Sequence, residues 1–398
     1  MDLDSARIAV SPRGLALLDS LPPYPQIDAL KLGEQLRQGG ASADVVAVAL
    51  TQARLRQQAA TKFGDFARGM LFTQDGVEQA TRLVVAARHA ERFRDAGIKR
   101  VGDLTAGIGA DAMAMAALGL GVVAFELDEA TALIADHNLR HWGSAVVVNA
   151  DSLATLAQGD VGIDGVFADP ARRNARGRRH DPRDYTPALD EVLALRTRFP
   201  ALGVKVGPGI PHDALPASAD GAPVETQWVS VDGDVVEAAI WCGPLARTSG
   251  HSALVIHGTT AHEIAGDTER APAGPLGEWL LEPDGAVIRS GVIGVLAQQT
   301  DAHLVDPTIA YLTSASPVSS PFATSFRVID AFPYSPKRLA QELRARGVGS
   351  LEIKKRGMDV VPEQLRRTLK LKGDNSATVV LTRVAGERMA LLVERVPR

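Results

Sequence analysis

Four carboxylates recur where short apolar runs end in one stretch of this chain: Asp103, Glu126, Asp151 and Asp169. A carboxylate such as Glu126 can accept both hydroxyl protons of a ribose. Asp151 can accept from the exocyclic amine of a base. Between the first two lies Asp103-Leu-Thr105-Ala-Gly107-Ile-Gly109-Ala-Asp111, whose glycines allow a tight turn and close backbone approach to a ligand. Ala112 also satisfies the spacing of a dinucleotide loop, so the glycines alone leave the cofactor open. Asp169-Pro170 is followed by Arg172, Arg173, Arg176, Arg178, Arg179 and Arg183, a cationic loop suited to a polyanion. Tyr185 after it can stack on a base or pack in the core. Lys205 can touch substrate or pair with Asp169.

These groups meet only if the elements between them place strand ends together. Val101–Leu104, Val122–Phe125, Val146–Val148, Gly165–Ala168 and Gly203–Val206 read as strands. Helical segments at Ala110–Leu118, Ala130–His141 and Leu189–Arg198 alternate with them, which implies a parallel sheet covered on both faces. Asp111 and Asp128 read as helix N-caps. Strand ends on one edge of such a sheet converge, so the four acids would line one crevice. An acidic crevice does not suit pyrophosphate. It suits an adenosine carrying a cationic sulfonium and an amino acid. Gln227–Val231 and Val235–Trp241 read as a hairpin joined at Asp232-Gly233-Asp234, closing the sheet.

On these residues the sequence resembles the class I S-adenosylmethionine-dependent methyltransferases over about residues 100–243. Asp103 to Gly109 is similar to their glycine-rich motif, which implies cofactor contacts from Asp103, Thr105, Gly107 and Gly109. Glu126 matches the ribose-binding acid, Asp151 the adenine-contacting acid and Asp169-Pro170 the substrate-side motif, with Asp169 also beside the cofactor. Arg172 stands where many amino-nitrogen methyltransferases carry an aromatic residue. A guanidinium there can stack on a base or hold a phosphate. Leu351-Glu-Ile-Lys354-Lys355-Arg356-Gly357, Pro362–Arg367 and Leu369–Gly373 resemble a THUMP-like domain, which implies RNA contact. The order is the reverse of that in proteins carrying a THUMP domain proper, where it precedes the catalytic domain.

The chain has 398 residues, 45% apolar and 23% charged, with 43 Lys+Arg against 47 Asp+Glu. That balance excludes global disorder. One cysteine, Cys242, excludes an internal disulfide framework and a thiolate zinc cluster, and reads as a core residue. No signal peptide and no apolar run long enough for a membrane span is legible, so a cytoplasmic protein is expected. His137 and His141 have the spacing of a helical metal pair but lack a third ligand. They read as helix-surface residues, and no metal is expected. Charge is uneven: residues 322–398 hold 16 basic and 8 acidic residues, and residues 1–321 carry a net −12. A basic tail suits a polyanionic partner.

The expected architecture is an α/β protein with a doubly wound Rossmann-like sheet closed by an antiparallel hairpin. An N-terminal helical domain spans 1–98, the methyltransferase domain 99–245, a connecting segment 246–325 and a small basic THUMP-like α/β domain 326–398, the last read as β-α-β-α-β-β. In the first, Ser42 and Thr73 are read as caps, the latter of one helix carrying Val77, Ala80, Leu83, Val84 and Ala87 on one face. Within the connection, a helix is expected over Val287–Ala297. The expected function is methylation of a base in a structured RNA such as tRNA or rRNA. Asp169 and Pro170 would be the catalytic residues, and Arg172, Arg173, Arg176, Lys205, Lys354, Lys355 and Arg356 would bind substrate. The alternatives are a small-molecule or protein acceptor, or a non-catalytic RNA-binding protein that keeps a nucleoside pocket. A nicotinamide oxidoreductase is opposed by the acidic crevice.

Overall fold

Helices fill the first hundred residues because polar caps and helical apolar spacing recur there: α1 (Leu3–Val10), α2 (Pro12–Ser20), α3 (Ala29–Gln38), α4 (Ala43–Phe63), α5 (Gln74–Gln79) and α6 (Leu83–Asp95). Asp2, Ser11, Asp28 and Thr73 each accept a first-turn N–H of the helix that follows. Ser42 occupies the N-cap of α4 without a side-chain bond. The fold is known from a computed structural model that describes residues 1–24, 28–171, 173–174, 177–178, 185–216, 218 and 221–396. For 173, 174, 177 and 178 the backbone alone is described. No helix among the described residues is long and apolar enough to cross a membrane.

The single helix expected after Thr73 is two. Lys62 Nζ donates to the carbonyls of Glu78 and Ala80, which ends α5. Thr81 turns its hydroxyl to Asp111. Those bonds take the chain out of helical register before α6 begins.

The sheet of the first unit, Met1–Val206 with Ile240–Arg247, is built as the apolar runs require. Its elements are β1 (Arg100–Asp103), α7 (Ala110–Ala117), β2 (Gly121–Glu126), α8 (Glu129–Leu139), β3 (Ala145–Asn149), α9 (Ser152–Gln158), β4 (Gly165–Ala168), the two-residue pair β5 (Arg173–Asn174) and β6 (Gly177–Arg178), α10 (Leu189–Ala194) and β7 (Leu202–Val206). The order is β7-β4-β1-β2-β3, parallel at every pairing. The chain runs outward from β1 to β3 and then returns to β4. The switch point between β1 and β4 is where an open sheet of this kind holds its ligand, at the carboxyl ends of the strands. Next come β8 (Val224–Val231) and β9 (Asp234–Cys242), joined by Asp232 (φ 51°) and Gly233 (φ 91°). Two positive φ values in a two-residue loop make a type I′ turn. The end of β9, Ile240–Cys242, lies beside β7 within the first unit, and Cys242 is buried. The fold is thus the doubly wound Rossmann-like sheet with an antiparallel hairpin.

The second unit comprises Gly207–Ala239 and Thr248–Arg398. In it β10 (Gly250–His257) runs parallel to β8 and pairs antiparallel with β11 (Thr260–Gly266). There follow β12 (Trp279–Pro283), α11 (Gly285–Ser290), α12 (Ile293–Gln299), β13 (His303–Asp306), β14 (Ile309–Ser314), β15 (Ala323–Pro333), α13 (Pro336–Ala345), β16 (Val348–Lys355), α14 (Pro362–Leu369), β17 (Asn375–Val384) and β18 (Glu387–Arg395). The helix expected over 287–297 is broken at Gly291, whose φ of 81° ends α11. The last seven strands form one sheet, β13-β14-β12-β15-β18-β17-β16. The β-α-β-α-β-β pattern read for the tail is present, and Leu365 and Leu369 face its core while Arg366, Arg367 and Lys370 are exposed.

Candidate active site

The carboxyl ends of β1, β2, β3 and β4 carry Asp103, Glu126, Asp151 and Asp169 on one edge of the sheet. Glu126 Oε2 accepts from the Gly107 N–H at 2.9 Å and Oε1 from the Asp128 N–H at 2.9 Å. Burial pushes Glu126 up from its ordinary value, against those two N–H bonds. Gly107 has φ 55°, and a Cβ there would meet open space, so its backbone is accessible beside the carboxylate. Gly109 serves differently. Its φ of 87° starts α7, and a Cβ would come 3.4 Å from Leu139 on α8. Asp151 Oδ1 caps α9 through the Ala154 N–H at 3.0 Å, and Oδ2 has no hydrogen-bond partner among the described residues.

Two of the four acids contribute less negative charge than a count of carboxylates implies. Asp103 is 2% exposed. Burial, reinforced by the nearby Asp111, Asp169 and Glu126, pushes it well above the usual carboxylate range, although the Thr105 N–H opposes this. That shift favours its neutral form over its charged one. Asp169 Oδ2 accepts from Lys205 Nζ at 2.6 Å, a pair with the lysine 6% exposed. Thr105, expected at the cofactor, accepts the Asp169 N–H on its hydroxyl at 2.6 Å and so braces the end of β4 against β1. Pro170 is buried, and Ala171 and Thr186 exchange both backbone hydrogen bonds at the base of the arginine loop. Arg172, Arg176, Arg179 and Arg183 lie outside the described residues, and for Arg173 and Arg178 the backbone alone is described. Tyr185 is buried.

Behind Asp169 runs a buried polar chain that sequence reasoning missed. Lys205 Nζ also donates to Thr81 Oγ1 at 2.9 Å, Thr81 donates to Asp111 Oδ2 at 2.7 Å, and His89 Nδ1 bonds Asp111 Oδ1 at 2.8 Å. Burial works against ionisation of Asp111. The hydrogen bond and charge of His89, with help from Lys205 and Thr81, nonetheless hold it below the usual range. The His89 ring lies 5.1 Å from Phe167 and 5.6 Å from Trp241. Asp111 is therefore not the helix cap it was read as, since Gly109 holds the cap position and the carboxylate turns inward. Asp128 does cap α8.

Two buried amides hold the segment before α5, and one of them reaches the glycine loop. Asn138 Nδ2 donates to the carbonyls of Ile108 and Leu71, and its Oδ1 accepts the Leu71 N–H. Gln52 exchanges both hydrogen bonds with the backbone of Phe72. Leu127, directly after Glu126, is 69% exposed, with its carbonyl held by Asn149 Nδ2. His137 is buried rather than on the surface, with Nε2 3.3 Å from the Gly69 carbonyl. In the second unit, Lys354 is engaged by Glu282 at 2.8 Å, Lys355 is exposed and Arg356 lies over the Tyr311 ring at 5.1 Å.

Comparison with known proteins settles the family. The chain is 33% identical over 338 residues to an uncharacterized S-adenosylmethionine-dependent methyltransferase of Mycobacterium tuberculosis H37Rv, covering 83% of this chain and 90% of the relative. A counterpart in strain CDC 1551 gives the same figures. The chain belongs to the S-adenosylmethionine-dependent methyltransferases. The fold of this methyltransferase is also that of a methyltransferase candidate from Porphyromonas gingivalis W83, with a TM-score of 0.72, 19% identity, and 99% and 98% of the two chains covered. A THUMP domain-like family matches residues 323–395, and a domain family of unknown function matches residues 2–59. S-adenosylmethionine is the cofactor of this enzyme. The donor set fits it, with an accessible glycine backbone, an oriented carboxylate for two hydroxyls and an open carboxylate oxygen on Asp151.

Proposed function

We propose that this methyltransferase acts on a base of a structured RNA such as tRNA or rRNA, in the cytoplasm. The observation that carries a nucleic-acid acceptor is the THUMP-like segment within a tail of 16 basic and 8 acidic residues. The arginines from Arg172 to Arg183 beside the Asp169-Pro170 edge support the same reading. In it, Glu126 holds the ribose hydroxyls, Asp151 the adenine amine and Leu127 an apolar face of the adenine. Asp103, Thr105, Gly107 and Gly109 shape the loop around the cofactor. The segments 1–98, 99–245, 246–325 and 326–398 are taken as its domains.

When bound, S-adenosylmethionine supplies a methyl group on a positively charged sulfur, already activated for in-line displacement. The protein's part is alignment. Asp169 accepts a hydrogen bond from the acceptor amine and holds its lone pair in line, with Pro170 fixing the turn. Lys205 pairs with Asp169 and orients it, and the Thr81–Asp111–His89 chain holds Lys205. The arginine loop, Lys354, Lys355 and Arg356 are assigned to RNA contact, Lys354 needing exchange from Glu282.

The test compares nucleosides from total RNA, by mass spectrometry, in cells with the protein, without it, and with Asp169→Asn or Lys205→Met. One methylated nucleoside should disappear on deletion, return with the wild-type chain and stay absent with either variant. An identical nucleoside profile with and without the protein would overturn the RNA acceptor in favour of a small molecule or protein.

A further inference from the structure

The second unit contains a cavity of about 550 Å³ whose lining shares only Arg356 with the residues assigned above to cofactor, catalysis or RNA contact. That volume lies within the range of small-molecule sites, about 300–1,000 Å³. Its lining divides by chemistry. Ile210, Trp228 and Ile288 are apolar or aromatic lining residues, the first two almost fully buried, and Arg289 and Arg356 are two cationic residues of the same lining.

The wall is built rather than incidental. The Trp228 indole N–H donates to the Pro208 carbonyl at 3.1 Å, and Arg289 donates to the same oxygen at 3.3 Å. The exposed His212 ring lies 5.1 Å from the Trp228 ring, and its Nε2 bonds the Arg289 carbonyl at 2.8 Å. Its plane is therefore fixed and extends the aromatic surface outward. Arg356 is held over Tyr311. Neither arginine has a carboxylate ion-pair partner among the described residues, whereas the neighbouring Lys354 has Glu282. Two uncompensated guanidinium groups on one cavity favour an anion, and their planar forks match phosphate oxygens. A flat aromatic surface beside them suits a base.

We propose that this cavity binds a nucleoside phosphate, with the phosphate on Arg289 and Arg356 and the base against the exposed His212 ring, which the buried Trp228 backs. The preference for a nucleotide over another organic phosphate rests on the RNA reading above, while the aromatic and cationic lining does not depend on it. The source is either a free nucleotide or one residue of an RNA strand.

The test is calorimetry on the full chain with uridine 5′-monophosphate, uridine and a short RNA, saturated with S-adenosylhomocysteine so that the adenosine site is closed. Uridine monophosphate should bind at least about tenfold more tightly than uridine. Arg289→Gln, a change at an exposed side chain, and the double variant with Arg356→Gln should each weaken it by about tenfold or more. Melting temperature and cofactor affinity should hold, and Arg367→Gln, on the exposed face of α14 and outside the cavity, should leave uridine monophosphate binding unchanged. Competition separates the sources: displacement of RNA by uridine monophosphate supports a strand residue, and undisturbed RNA binding supports a free nucleotide. Equal affinity for uridine and its monophosphate, or unchanged monophosphate binding in both variants, overturns the site. A cavity that binds the monophosphate in a protein whose deletion alters no RNA nucleoside retires the RNA acceptor and leaves the site standing.

Discussion

Single residues show which parts of the chemistry a sequence can display. Glu126, Asp151 and Asp169 were legible because each follows an apolar run that had to be a strand, and strand ends share an edge. Thr81 and His89 were not, because their partners lie far along the chain. Thr81 meets Lys205 across 124 positions and His89 meets Asp111 across 22, with no local pattern to announce either. Burial was the other hidden variable. It raises the pKa of Asp103, and at His137 on α8 burial, then the charge of Arg140, lowers the pKa from 6.5 to about 4. The sign follows from proton uptake. Between these values the unfolded chain binds a proton that the folded chain refuses, so stability falls as pH drops from 6.5 toward 4. About 3 kcal/mol is at stake over that window. His137→Gln, which can still donate to the Gly69 carbonyl, should lose less stability on acidification. Urea unfolding at pH 7.5, 5.5 and 4.5 checks this, and parallel losses in both proteins would count against it.

At the scale of elements, the five parallel strands and the tail's β-α-β-α-β-β order were readable because apolar runs alternated with amphipathic helices. Residues 244–325 resisted reading because β10 to β14 mix polar residues with apolar ones, the buried Ser252, Asp306, Thr313 and Ser314 among them. The start of β8 was hidden in the same way: Glu225 and Thr226 look like loop residues, yet both are buried and Ser252 donates to Glu225. Met70-Leu-Phe-Thr73 carries no ligand signature in the sequence. In the structure it is a strap that Gln52 holds at Phe72 and Asn138 ties from Leu71 to the glycine loop at Ile108. Asn138→Ala would leave the Leu71 N–H and two carbonyls without their buried partner, a cost of about 3 kcal/mol. It should also weaken S-adenosylmethionine binding, because Ile108 lies between Gly107 and Gly109. Unfolding and calorimetry together decide, and unchanged cofactor affinity in a destabilised variant would separate the strap from the site.

For the whole molecule, the tail's role cannot be tested by cutting it off. The THUMP domain-like match begins at residue 323, in β15, but β15 pairs with β12 along Trp279–Pro283. One hydrophobic cluster contains Leu280, Val305, Ile309 and Tyr311 together with Phe326, Val380, Leu391 and Val393. A chain ending at 322 would expose half of that cluster and the open edge of β12, an invitation to aggregate. Charge removal tests the tail with the sheet intact. Lys355, Arg367 and Lys372 are exposed and make no ion pair among the described residues. Changing all three to Gln should leave melting temperature and cofactor affinity in place. If each neutralises one RNA phosphate, the slope of log affinity against log salt should become shallower by about 2 to 3. A salt slope equal to that of the wild-type chain, measured on the RNA whose nucleoside disappears on deletion, would remove these three residues from the RNA-contacting surface and leave the remaining tail basics and the arginine loop to account for retention.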